Sequence, residues 1–360
     1  MTQEFSASTP STWKPRIGIT IGDPSGIGPE IALKACADPE VRAVADLVLV
    51  GDANHLRQVA RHLDLPFEMD VWPFDELVAR FSEASIPTQS DRPLLCTIDN
   101  LFEPLTWGEI SPTYGKASGE YIEAAVKLYQ AGIIEGLTTC PINKRSLLLG
   151  GYSFTGHTEL LAHLTGTRTF ALGFVSAVLR VVLLTNHLPL SRALTYITKE
   201  RIERMLTLTH RELIRWGIRR PRIAVAAVNP HGAEGGLFGL EEASEMVPAI
   251  ETCVTENPDM NISGPIPAEN VFLRAARGEF DIVLCSYHDQ GMIPIKCLSF
   301  GEAVNVTLGL PFIRTSTNHG TAFDIAGRGL ADSQSLIEAI KLAAELVRRG
   351  QEFSDDLVEI

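Results

Sequence analysis

Hydrophobic residues along this chain fall into two patterns that alternate almost from end to end. Short unbroken apolar runs read as strands buried on both faces: RIGITIG from Arg16, DLVLVGD from Asp46, IIEGLTT from Ile133, LRVVLLT from Leu179, RIAVAAV from Arg222 and DIVLCS from Asp281. Between them, ASGEYIEAAVKLYQAG from Ala117, KERIERMLTLTHRELIRWG from Lys199 and a last stretch from Ser333 to Gly350 carry apolar residues at helical spacing. Shorter helices are expected from Pro29 through Cys36 and on to His62. This alternation predicts an α/β fold with a mainly parallel sheet. Two departures stand out. Residues 68–114, rich in Pro, read as irregular excursions, and Pro294 inside YHDQGMIPIK argues against an uninterrupted helix there.

Three of the apolar runs end the same way, with a histidine at the carboxyl end of a strand. These are His187 after VVLLTN, His231 after IAVAAVNP and His288 after DIVLCSY. Open α/β sheets bind ligands beyond the carboxyl ends of their strands, so three imidazoles delivered there suggest one polar site. Neutral imidazole is the commonest metal ligand, and one divalent ion shared by the three would need nitrogens about 2 Å away. Three independent strand-end histidines with ordinary hydrogen bonds would give the same sequence.

Composition narrows the partners. The 360 residues carry Lys+Arg 31 against Asp+Glu 44, a net charge of −13, which disfavours nucleic acid and anionic membranes. Any anionic ligand must then meet local positive groups. The length suits two α/β domains, or one large domain with insertions. Six dispersed cysteines without a CxxC pair, several inside apolar runs, point to a reducing, cytoplasmic setting. No apolar run is long enough to span a bilayer, and residues 1–14 lack a signal-peptide core and read as a flexible tail.

Polar motifs cluster at the strand ends. GDPSGIGPE, from Gly22 to Glu30, joins a strand to a helix, where glycines admit close approach of a ligand; it is neither a dinucleotide fingerprint nor a P-loop and serves equally as a structural turn. Asp23 is its most chemically suggestive residue. FTGHTELL sets His157 and Thr158 at a helix start, with Thr158 as a plausible cap and His157 exposed beside free amides, an arrangement suited to an anion. NPHGAEGGLFGLEE surrounds His231 with glycines and argues for a tight polar site rather than core. YHDQGMIPIK adds Asp289 and Lys296, and GLPFIRTSTNHGTAFDIAGRGLAD adds Arg314, whose guanidinium can fork onto phosphate or carboxylate.

Taken in order, GDPSGIGPE, CPINK, FTGHTELLA, TNHLPL, NPHGAEGGLFGLEE, GPIPA, YHDQGMIPIK and GLPFIRTSTNHGTAFDIAGRG resemble the 4-hydroxythreonine-4-phosphate dehydrogenase family from Arg16 to Val347. The last segment also resembles the wider isocitrate and isopropylmalate dehydrogenase superfamily, which binds NAD without a glycine fingerprint. The resemblance implies two α/β/α domains with the active site in the cleft between them, one of residues 15–136 plus 304–360 and one of 137–303. It also implies a homodimer, with a divalent ion (Zn, Mg, Mn or Co) held by His187 and His231 of one subunit and His288 of the other. His157, Thr158, Lys296, Asn305 and Arg314 match substrate and phosphate contacts. Asp23 and the segment His319, Gly320, Thr321, Asp324 and Ala326 match the NAD or NADP side. The implied reaction is oxidation of a secondary alcohol β to a carboxylate followed by decarboxylation, within pyridoxal phosphate biosynthesis, with Lys296 and then Asp289 as candidates for proton transfer. Three departures from the family pattern stand out: Asn318 and Glu269 each replace an Asp, and Gly232-Ala233 reverses the usual Ala-Gly.

Three readings compete. The first is a dehydrogenase of a phosphorylated 3-hydroxy acid, either 4-hydroxythreonine 4-phosphate or a phosphorylated threonate. The second is a decarboxylating dehydrogenase of an aromatic cis-dihydrodiol carboxylate, of the kind derived from terephthalate, which has less need of Arg314. The third is a non-catalytic metal-binding or small-molecule-binding protein, disfavoured because no cysteine completes a closed zinc site.

Overall fold

Strand runs that are apolar at every position must be covered on both faces, which a parallel sheet between helical layers provides. The computed structural model describes residues 13–83, 92–299 and 302–358, so all but the last two residues of the expected tail lie outside it. The chain divides into two compact units, Ser11–Arg168 with Leu310–Arg348, and Thr169–Gly309 with the chain from Arg349 onward.

The first unit alternates strand and helix. It runs β1 (Arg16–Thr20), α1 (Gly28–Ala37), α2 (Pro39–Val44), β2 (Asp46–Gly51), α3 (Ala53–Leu63), β3 (Asp70–Pro73), α4 (Phe74–Glu83), β4 (Leu94–Thr97), α5 (Pro112–Gln130), β5 (Gly136–Thr139), α6 (Lys144–Leu149) and α7 (His157–Leu164). Side chains hold the helix starts: Asp52 accepts from His55 N to open α3, Ser111 opens α5 and Asn143 opens α6. The segment expected to be irregular contains β3, α4 and β4. These elements are short, and the exposed, Pro-ended β3 carries no periodicity long enough to read.

The second unit holds β6 (Ala171–Val175), β7 (Arg180–Leu183), α8 (Leu190–Leu194), α9 (Lys199–Arg215), β8 (Arg222–Ala226), α10 (Val247–Glu256), β9 (Asn261–Ile266), α11 (Ala268–Ala276), β10 (Ile282–Cys285), α12 (His288–Leu298) and β11 (Val304–Leu308). Helix α12 runs through Pro294, contrary to the sequence expectation. Burial of Gln290, Gly291 and Ile295, with Gln290 donating to Ala227 O and accepting from Ser286 N, holds the helix despite the missing N–H. The chain then returns to the first unit as β12 (Ile313–Ser316) and ends in α13 (Gln334–Val358).

In the first unit the strand order is β3-β4-β2-β1-β5-β12, every pair parallel. In the second it is β11-β6-β7-β10-β8-β9, parallel except that β6 runs antiparallel to both β7 and β11. The first boundary falls at Arg168 rather than 136 because α6 and α7 pack on α5. The second falls at Gly309 rather than 303 because β11 pairs with β6, from Val304↔Val175 to Leu308↔Ala171.

Candidate active site

Parallel neighbours β7, β10 and β8 carry the three histidines past their carboxyl ends. The rings of His187 and His288, from the same chain, stand 5.3 Å apart between centroids and are tilted by 43°. Two imidazoles sharing one ion at about 2 Å put their centroids roughly 5 Å apart, so this pair has the spacing a metal requires. His288 Nδ1 lies 2.7 Å from Asp289 Oδ1, which fixes the proton on that nitrogen and leaves Nε2 able to ligate. Asp289, a candidate for proton transfer from the sequence, thus lies beside the His288 ring.

His231 is placed differently. It lies in a left-handed turn, Pro230–Gly236, where His231, Ala233 and Glu234 all take positive φ (54°, 67° and 44°). Such backbone is strained for residues with a Cβ and persists where the surroundings enforce it. Its Nδ1 sits 2.9 Å from Oε1 of Glu269 in the first turn of α11, again freeing Nε2. Among the described residues, no three His, Cys, Asp or Glu side chains converge on one point. On α12 and β11, Lys296 is exposed, and Asn305 keeps a buried Oδ1 with no partner among the described residues.

The first unit brings His157 and Arg314 together. Arg314, only 3% exposed on β12, donates from Nη2 to Thr139 Oγ1 at 2.6 Å. Burial pushes its guanidinium down to about 10, opposed by Glu159. His157 and Thr158 open α7, but the cap is Gly156, with no side-chain cap bond, so Thr158 does not cap. His157 is half-buried rather than exposed, and its Nε2 is sunk without a partner among the described residues. Burial, and then the charge of Arg314, hold its imidazole well below the usual histidine range. A buried cation, a neutral imidazole and the start of a helix could together hold an anion, with one strong charge.

The cofactor candidates divide. Asp23 is fully buried: Oδ1 accepts from Ser25 N at 2.9 Å, its own N–H donates to Pro141 O, and burial raises the carboxyl to about 6. These bonds tie it into the GDPSGIG loop. A Cβ at Gly22 would lie 2.2 Å from Pro141 O, so that glycine serves packing. The loop is nonetheless joined to the other cofactor candidates, because Ile27 N donates to Thr321 O at 3.0 Å. Along that segment His319, Gly320 and Asp324 are exposed, Thr321 is half-buried, Ala326 is buried, and nothing lies within 4 Å of where a Cβ on Gly320 would sit. This open polar face suits a dinucleotide.

Sequence reasoning missed four residues. Thr139 leaves no signal, Glu269 shows only as a departure from a motif, and the Glu30–Lys34 pair has recognisable i,i+4 spacing but a target about three hundred positions away.

The profile of the pyridoxal phosphate biosynthetic protein PdxA family matches residues 43–343. A D-threonate 4-phosphate dehydrogenase from Cupriavidus necator is 42% identical over 94% of this chain and 99% of its own length. The crystal structure of a 4-hydroxythreonine-4-phosphate dehydrogenase from Burkholderia phymatum superposes with a TM-score of 0.82 at 38% identity, covering 93% of this chain and 99% of that one. A terephthalate 1,2-cis-dihydrodioldehydrogenase from Burkholderia xenovorans is more distant, with a TM-score of 0.65 at 28% identity over 92% and 98% of the two chains.

Proposed function

This chain belongs to the pyridoxal phosphate biosynthetic protein PdxA family, and on that premise we propose a divalent-metal-dependent, NAD(P)-linked dehydrogenase that oxidises and decarboxylates a phosphorylated 3-hydroxy acid. The substrate is 4-hydroxythreonine 4-phosphate, within pyridoxal phosphate biosynthesis, or a threonate 4-phosphate. The observation that carries this reading is Arg314, buried beside His157 and hydrogen-bonded to Thr139 as a fixed phosphate anchor. An aromatic dihydrodiol carries no phosphate to occupy it.

His187 and His288 of one chain, with His231 from a second copy, would hold the metal, which makes a homodimer the active species. A divalent ion held there would supply Lewis-acid polarisation of the alcohol and carbonyl oxygens, and a nicotinamide cofactor would serve as hydride acceptor. The chain supplies position and charge. Arg314 and His157 anchor the phosphate, with Thr158 beside them on α7; Asn305 offers an unused carbonyl oxygen to a substrate hydroxyl; Lys296 moves the proton. Asp289 and Glu269 keep the imidazoles oriented. His319, Gly320, Thr321, Asp324 and Ala326 form the cofactor side, with Asp23 beneath it.

A substrate panel read by NADH or NADPH formation, with Zn, Mg, Mn or Co added to chelator-treated protein, tests the proposal. Turnover of a phosphorylated hydroxy acid that disappears with the metal is expected. Turnover only of non-phosphorylated dihydrodiols, or turnover indifferent to chelation, would overturn it.

A further inference from the structure

The GDPSGIGPE motif contains a residue that the reaction does not use. Glu30, in the first turn of α1, has no exposed surface, yet it carries a carboxylate. Its Oε1 accepts from Lys34 Nζ at 2.7 Å and from the backbone N–H of Ala331 at 3.0 Å. Lys34 in turn donates to Ala331 O at 2.7 Å and Gly329 O at 3.2 Å. The two side chains therefore hold both faces of one peptide stretch, residues 329–331, which directly follows the cofactor candidates 319–326. One turn earlier the same helix start takes Thr321 O through Ile27 N, and a Cβ on Gly26 would lie 3.0 Å from Thr321. The segment is thus tied at both ends to a single element.

We infer that Glu30 and Lys34 are positioning residues for the nicotinamide cofactor: they set the depth and course of segment 319–331, against which the dinucleotide lies. This rests on the dehydrogenase reading above. A buried ion pair is weak evidence for stability, since well-packed apolar side chains often replace one without loss. Holding a backbone path against its alternatives is a different task. Glu30 Oε2, buried with no partner among the described residues, shows that the pair is not optimised for stability.

The test uses the full-length protein with Glu30→Gln and, because a lone Lys34 left against a neutral side chain can unsettle the fold, the double variant Glu30→Met/Lys34→Met. Three readouts are taken: direct binding of NAD and NADP, the split between KM and kcat, and trypsin cleavage after the exposed Arg328. In both variants the cofactor Kd and KM should rise about tenfold, with kcat at saturating cofactor and the KM of the phosphorylated substrate within about twofold, because only the cofactor's seat has loosened. Cleavage at Arg328 should quicken several-fold, as local opening of the segment requires. Unchanged cofactor affinity and unchanged cleavage in a folded variant overturn the inference. So does a uniform fall of every constant in step with the melting temperature. A wild-type protein that binds and reduces neither cofactor overturns the dehydrogenase reading, and the cofactor role with it, even if cleavage at Arg328 still responds.

Discussion

His187 and His288 of a single chain face each other at 5.3 Å between ring centroids, and His231 Nδ1 lies 2.9 Å from Glu269 Oε1. This changes how three ligands can share one ion. The family resemblance suggested His187 and His231 from one subunit with His288 from the other; from the His187–His288 spacing within one chain we propose that these two come from one subunit and His231 from the other. A mixture of His231→Ala and His288→Ala subunits should then recover activity, since each mixed dimer builds one intact site. Random pairing makes half the dimers mixed, so recovery should approach about a quarter of wild type. A mixture of His187→Ala and His288→Ala subunits should stay inactive. Recovery in that second mixture instead would show that the division runs the other way.

Arg314 should control phosphate recognition and little else. Replacing it with Met removes a buried, charge-assisted contact, so KM for the phosphorylated substrate should rise by about 10- to 100-fold, the scale of 1.5–3 kcal/mol. Lys in its place should recover only part of this, because an ammonium cannot fork between Thr139 and a phosphate. Steady-state kinetics with both substrates varied separates this from a cofactor effect. A phosphorylated-substrate KM unchanged in Arg314→Met would remove Arg314 from the site.

Glu269 carries an expectation of its own. Its carboxylate orients His231 through Nδ1, so Glu269→Gln, which can present an N–H where an acceptor is needed, should weaken metal affinity by about 10- to 100-fold. Glu269→Asp should recover much of it, since Asp is the usual residue of the family at this position. Competitive chelator titration reads this without substrate. Equal affinities in wild type and Glu269→Gln would mean that the contact is incidental.

These residues also show how far the sequence reaches. The histidines were legible because strand, turn and imidazole lie within a few consecutive positions, and strand ends are where such sheets bind ligands. Their pairing was not, because it depends on β7 and β10 being neighbours, a contact across a hundred residues. Arg314 stood out in the sequence as a candidate for binding phosphate, but its bond to Thr139 did not, since β12 joins β5 only in the folded sheet. The misreading of Pro294 has another origin: backbone preference is local, and the buried side of α12 overrules it.

Asp23 offers the last test, one of stability. Burial lifts its carboxyl from 3.8 to about 6, so the folded state holds this proton more tightly than the unfolded chain does. The contribution is therefore fully present below the unfolded value and is lost as pH rises from about 4 through about 6; two pKa units correspond to about 3 kcal/mol. Asp23→Asn resembles the protonated acid and should escape this loss. His55, His157 and His210, all shifted downward by burial, work in the opposite sense, losing stability as pH falls below the ordinary histidine value. The total profile therefore mixes signs, and only the difference between wild type and Asp23→Asn isolates the carboxyl. Urea unfolding at a series of pH values should show the variant gaining on wild type between pH 4 and 7 by an amount on the order of 3 kcal/mol. Parallel profiles would mean that Asp23 ionises as freely in the fold as in the unfolded chain, and the loop would then need another anchor.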